Sequence, residues 1–257
     1  MSAPSEAKLE APRFLPAYFE TLDAVALDAL PMLADGFRFS FLWSDERGPR
    51  EFTGGLDEFH GYLQQRQAEG HRHHIDVGTR EGQVEVVLGH TTRHGERLGN
   101  FTFAVWLDAE DRAERLFSGR TERFGKVDVA PDAGGERTPA SVLPPFLGTL
   151  DERPMDVAPM LSPGMEFAIL WSDERGVHEF NGGLDEYHGY LAQREPEGQL
   201  HHLAVTARSR HTEVALGYTT RYGAELGTFT MWVQAEEQER VRRFFAGRTL
   251  AFSGIWS

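Results

Sequence analysis

Three histidines recur at matching positions in the two halves of the chain: His60 with His188, His73 with His201, and His74 with His202. An imidazole, with an ordinary pKa near 6.5, is the side chain best suited to take up and release a proton at neutral pH. In an apolar pocket it is held neutral, ready to abstract a proton from a carbon beside a carbonyl or, once charged, to protonate a leaving hydroxyl. His73 shares strand parity with Ile75 and Val77, and His201 with Leu203 and Val205, so both are expected to point inward as the acid/base groups. His74 and His202 are expected to face the other way. His60 and His188, on the apolar face of a helix, are expected to assist or orient. The alternative is that these rings only satisfy buried polar groups.

Further residues bear on a site. His90 and Tyr218 occupy matching places with inward parity, an imidazole in one copy and a phenol in the other. Ala104 and Trp106 become Trp232 and Gln234, which means either uneven packing between two sheets or pockets of different depth. Trp43, Trp171, Phe103, Trp232, His90 and Tyr218 are the candidates for touching a bound substrate. Arg93 with Arg221, and Arg120 with Arg248, either bind a substrate carboxylate or pair with Glu85 and Glu213. His71, His73, His74, His90 and His94 are rich in metal-ligating nitrogen, but their matches are Gln199, His201, His202, Tyr218 and Tyr222. A three-histidine metal site common to both copies is thereby excluded, and no metal is assigned.

These residues are positioned by a unit written twice. Trp43 to Phe124 reappears as Trp171 to Phe252, displaced by 128 residues without a gap, with more than half of the 82 pairs identical. Phe14, Tyr18, Phe19 and Leu22 follow helical spacing, and Leu27, Leu30 and Leu33 continue on a second short helix closed by Gly36. Phe37, Phe39 and Phe41 alternate as in a half-buried strand leading to the turn Trp43-Ser44-Asp45-Glu46-Arg47-Gly48, read as a solvated hairpin tip. Leu56, Phe59, His60 and Leu63 share one face of a third helix, with Asp57 and Glu58 opposite the helix dipole. Strands are predicted over 73–80, 83–93, 100–108 and 112–124. The fold class is therefore α+β, with two tandem cone-shaped units, each a curved antiparallel sheet around about three helices. The first unit spans 13–125 and the second 143–257, with a Pro- and Gly-bearing flexible tether over 126–142 between them. In the second unit Pro144, Pro145, Gly148, Pro154 and Pro159 are expected to damage the helical cover, so that the two cavities differ.

Composition bounds the partners. Forty acidic residues against 26 basic ones give a formal charge of -14, which disfavours nucleic acid and anionic membranes. The absence of cysteine excludes sulfur redox chemistry and suits a cytoplasmic setting. No stretch is apolar enough to span a bilayer, and residues 1–12 lack the pattern of a secretion leader.

The stretch Tyr18 to Arg66, with its two opening helices, the Leu33-Ala34-Asp35-Gly36-Phe37-Arg38-Phe39 strand entry and the Gly-led third helix, resembles the nuclear transport factor two-like superfamily, in its SnoaL-like and ketosteroid-isomerase-like branch. With the meander, the resemblance covers nearly all of each repeat. It implies a cone that binds greasy small molecules and, in members that are enzymes, isomerises, cyclises or dehydrates them or opens their epoxides. It also places Phe41 and Ile169 where the ketosteroid-isomerase branch carries its catalytic aspartate, which argues against steroid isomerase chemistry. Tandem copies are also found in epoxide hydrolases of polyether biosynthesis, but no cavity-facing acidic pair is evident here. The expected function is a cofactor-independent cyclase, isomerase or dehydratase acting on a hydrophobic oxygenated small molecule. The alternatives are a binding protein or scaffold, and an epoxide hydrolase or cyclase. The chain is an intramolecular pseudo-dimer, and further homodimerisation is left open.

Overall fold

The computed structural model describes residues 9–66, 70–122, 124, 138–193, 198–236, 238–252 and 256. Alternating and helical apolar patterns resolve into the same series twice. The first unit runs α1 (Phe14–Ala24), a 3-10 turn (Ala26–Met32), β1 (Leu33–Asp45), β2 (Gly48–Gly54), α2 (Leu56–Gln65), β3 (His71–Glu81), β4 (Val84–Arg93), β5 (Glu96–Leu107) and β6 (Ala113–Thr121). The second runs α3 (Leu143–Glu152), a 3-10 turn (Pro154–Met160), β7 (Leu161–Asp173), β8 (Gly176–Gly182), α4 (Leu184–Gln193), β9 (Gln199–Ser209), β10 (Thr212–Arg221), β11 (Ala224–Ala235) and β12 (Val241–Thr249). Each sheet has six strands, ordered β2-β1-β6-β5-β4-β3 and β8-β7-β12-β11-β10-β9. All pairings are antiparallel except β1 with β6 and β7 with β12, which are parallel.

The helices of the second unit are intact, contrary to the expectation of damage. Pro144 and Pro145 fall in the first turn of α3, where the backbone N–H groups have no partner within the helix. Pro159 lies in a 3-10 turn whose counterpart in the first unit also carries a proline, Pro31. Gly36 closes no helix, because Leu33 already begins β1. Residues 126–137 of the expected tether lie outside the described residues. Beyond them, Thr138 bridges to Arg208 on β9, while the Ser141 and Val142 N–H groups bond Glu213 on β10.

One face of each sheet packs on its own helices. In the first unit Phe37, Phe39, Phe59, Phe101 and Val105 form that core. The opposite faces pack on each other through Val86, Leu88, Trp106 and Phe117 of the first sheet and Leu170, Val214, Leu216, Trp232 and Phe245 of the second. The tryptophan swap is thus uneven packing between sheets, and Trp232 is no part of a cavity wall. Thr102 and Thr230, which are repeat equivalents, meet at 2.8 Å across this contact, and Glu51 of the first unit accepts hydrogen bonds from Ser172 and Thr249 of the second. Close approach there favours glycine at position 119, where a Cβ would lie 2.9 Å from the Phe245 ring.

Two local devices set the site. A register shift between Ile75 and Val77 leaves Asp76 as an extra residue, so Ile75 packs in the cone and Val77 between the sheets. The expected common parity of His73 with Val77 fails for that reason, while His73 keeps the inward face of Ile75. The second device is Glu85, a fully buried strand residue whose carboxylate accepts the Arg13, Phe14 and Leu15 N–H groups at 2.7–2.9 Å. It fixes the start of α1 against the sheet, and Glu213 does the same for Ser141, Val142 and Leu143.

Candidate functional site

With α1 anchored at its start by Glu85, its last turn brings Asp23 to the first residues of β3. The His73 N–H donates to Asp23 Oδ2 at 2.6 Å, and the ring nitrogen Nδ1 lies 2.7 Å from Oδ1. The second copy repeats this with Asp151 and His201 at 2.7 and 2.6 Å. A carboxylate only accepts, so in His73 Nδ1 carries the proton and Nε2 is the acceptor nitrogen. Phe19 stacks on His73 at 4.7 Å and Phe101 meets it edge-on, which locks the ring plane. Burial holds the His73 pKa below 6.5 against the pull of Asp23, and Arg66 adds to the lowering. Burial alone would raise Asp23, but the hydrogen bonds from His73 and the charge of Arg66 bring it below the usual carboxylate value.

His73 and His201 each line a cavity in their own cone. The first cavity has a volume of about 580 Å³, and Tyr18, Phe41, Trp43, Tyr62, Phe101 and Phe103 contribute to its wall. The second, of about 210 Å³, is walled by Ile169, Trp171, Tyr187, Tyr190, Phe229 and Met231 among others. Phe41 and Ile169 therefore put apolar side chains into both cavities at the place where the resemblance sets an aspartate. Each cavity holds two tyrosines: Tyr62 and Tyr190 are repeat equivalents, while the other comes from different positions, since Tyr18 matches Phe146 and Tyr187 matches Phe59. Burial pushes the Tyr18 hydroxyl well above its ordinary pKa, so it stays a proton donor.

Of the other expected site residues, Trp43, Trp171 and Phe103 line cavities. His60 does not: it is exposed, and its ring pairs with Gln64 at 3.2 Å, because Phe59, Tyr62 and Leu63 form the buried stripe of α2. His188, half-buried, lines neither cavity. His90 and Tyr218 have the parity expected, but that parity leads to the face between the sheets. His90 bonds Asp76 at 2.9 Å and stacks on His74, while Tyr218 stacks on His202 and Trp256. Glu85 and Glu213 pair with Arg80 and Arg208, not with Arg93, Arg120 or their equivalents. Among the described residues no group of three or more His, Cys, Asp or Glu is arranged to hold a metal ion, and no helix is long and apolar enough to cross a membrane.

Asp23 and Asp151 are the candidate site residues that pattern reading missed. Their signal was present: each precedes its histidine by 50 residues and they are themselves 128 apart. An Asp23→Asn variant keeps the size of the side chain but removes its charge and leaves one acceptor oxygen for the two His73 N–H donors. It is expected to lower any His73-dependent rate by roughly a hundredfold with little change in binding, as separate kcat and KM measurements will show.

No family model matches the sequence, and no curated protein matches it. Among solved structures, the chain is similar to a candidate ketosteroid isomerase from Kribbella flavida, with 17% identity over 50% of this chain and 89% of that one, at a TM-score of 0.35. It is also similar to a SnoaL-like protein of unknown function from Burkholderia thailandensis, with 14% identity over 42% and 91% of the two chains at 0.32. A third is the epoxide hydrolase/cyclase-like enzyme SalBIII of pyran ring formation in the polyether salinomycin, with 7% identity over 42% and 87% at 0.32. The two-unit α+β architecture rests on the strands and helices described above.

Proposed function

We propose that this chain is a cofactor-independent acid/base enzyme of cyclase, isomerase or dehydratase type, acting on a hydrophobic oxygenated small molecule inside the cone. The observation that carries the reading is the buried Asp–His pair repeated in both cavities. His73 Nε2 takes a proton from a carbon beside a carbonyl, and Asp23 stabilises the imidazolium that forms. Protonated tyrosines on the wall are suited to donate to the developing enolate oxygen. The charged imidazole then returns its proton to another carbon for isomerisation, or to a departing hydroxyl for dehydration. Epoxide opening by an acidic pair is not proposed, since Asp45 is the single carboxylate on the first wall and the second has none among the described residues.

The direct test needs no knowledge of the natural substrate. Incubation with 1-tetralone in deuterated buffer, followed by NMR, is expected to show deuterium entering beside the carbonyl faster than in buffer alone. No acceleration with 1-tetralone or with a panel of cavity-sized ketones would move the assignment to a ligand-binding protein.

The pH dependence has a definite sign. Because the His73 pKa is lowered, the base form dominates from below pH 6.5 upward, so the exchange rate is expected to be flat between pH 7 and 8 and to fall only on the acid side of 6.5. The same depression means that the unfolded chain binds this proton more readily. Its contribution to stability is therefore complete above pH 6.5 and is lost as pH falls toward and through the lowered value, which a series of thermal melts will report.

A further inference from the structure

We propose that the first cavity selects ligands bearing a carboxylate, and that Arg50 and Arg120, gathered at Trp43, receive it. This deepens the reading above and rests on that cavity accepting a small molecule. Acidic residues outnumber basic ones in the chain, 40 to 26, yet the wall of this cavity carries Arg47, Arg50, Arg66, Arg93 and Arg120 against one carboxylate, Asp45. Asp45 pairs with Arg50, Asp23 with Arg66 at 3.4 Å, and Glu122 with Arg120 at 2.9 Å. Arg47 and Arg93 have no carboxylate partner among the described residues, so positive charge remains after every ion pair is counted.

That excess has a focus. The guanidinium carbons of Arg50 and Arg120 lie 5.4 and 4.5 Å from the centre of the Trp43 ring, where the indole face offsets part of their mutual repulsion. Trp43 Nε1, Arg50 Nε and Arg120 Nε are buried N–H donors without an acceptor among the described residues. Partly buried cations and donors with hydrogen-bonding capacity to spare, beside an aromatic wall, match an aromatic or alicyclic carboxylic acid: the ring lies on Phe and Tyr, and the carboxylate meets the guanidiniums. The second cavity lacks this arrangement. His178 replaces Arg50, stacks on Trp171 at 5.1 Å and pairs with Asp173, leaving Arg248 as the arginine of that wall. The two cavities then differ in ligand charge as well as in volume.

The test is calorimetric titration of the full chain at pH 8 with 2-naphthoate and its neutral isostere 2-naphthamide. The acid is expected to bind at least tenfold more tightly, despite the repulsive field of a protein of charge -14. The preference is expected to fall below threefold in an Arg50→His, Arg120→Gln double variant. Arg50→His alone, which installs the residue the second unit carries at this place, is expected to reduce it at least threefold and serves if the double variant does not fold. His73→Asn is expected to keep the preference while removing nearly all proton exchange with bicyclic ketones, so this inference and the acid/base reading fail separately. Equal binding of acid and amide, no binding of the acid at millimolar concentration, or a preference unchanged in the arginine variants would overturn the proposal.

Discussion

Replacing His73 and His201 together by asparagine is expected to lower deuterium exchange, and turnover of any true substrate, by roughly 10²–10⁴-fold while leaving the fold intact. Asparagine is chosen over alanine because its amide N–H can still donate to Asp23 or Asp151, so neither buried carboxylate is stranded. What disappears is the lone pair on Nε2. The single variants divide the work between cavities. The dyad geometry is nearly the same in both, with ring-to-carboxylate distances of 2.7 and 2.6 Å, but the volumes are about 580 and 210 Å³. For a ligand of bicyclic size or larger, His73→Asn is expected to account for nearly all of the loss and His201→Asn for little. Equal losses from the two would show that both cones work alike, and unchanged exchange in the double variant would remove the histidines from the mechanism.

The second large effect is expected from Glu85→Ala, which acts on stability. The Glu85 carboxylate is fully buried and accepts three backbone N–H groups at the start of α1, with Arg80 3.6 Å away. Alanine leaves those donors without an acceptor and opens a void beneath the helix, a cost of about 3 kcal/mol by the usual worth of charged hydrogen bonds. In a chain of this size that is a fall in Tm of roughly 6–12 °C, readable by calorimetry. Glu85→Gln, which still offers one carbonyl oxygen, is expected to lose about half as much. Because α1 carries Tyr18 into the cavity wall and Asp23 onto His73, the alanine variant is also expected to lose activity at temperatures where it remains folded. Full activity there would show that α1 is positioned by its apolar face alone.

Much of the architecture was legible in the sequence. Phe37, Phe39 and Phe41 alternate because one side of β1 is buried, and the 128-residue displacement needs only comparison of the chain with itself. The inward direction of His73 followed from the same periodicity. Two misreadings have local causes. Proline was counted against α3 without regard to its place in the first turn, where it is tolerated. His60 was placed on the buried stripe of α2 from i, i+4 spacing to Leu56, but Tyr62 rotates that stripe away from it.

Periodicity tells that two faces of a strand differ; it cannot say what covers each when both are apolar. β4 is such a strand: Val87 faces the cone, Val86 and Leu88 face the other sheet, and His90 therefore belongs to the contact between units and not to a pocket. The pairing of Asp23 with His73 joins residues 50 apart through the docking of α1 on β3, and Trp43, Arg50 and Arg120 come from β1, β2 and β6, which meet only in the folded sheet. By itself, then, the sequence determined the duplication, the α+β class and the histidines worth watching, because these depend on repeats and on local patterns of apolar residues. Which histidine gained a carboxylate partner beside a cavity, and what charge surrounds it, was decided by tertiary structure alone, because both depend on contacts between residues that no local pattern brings together.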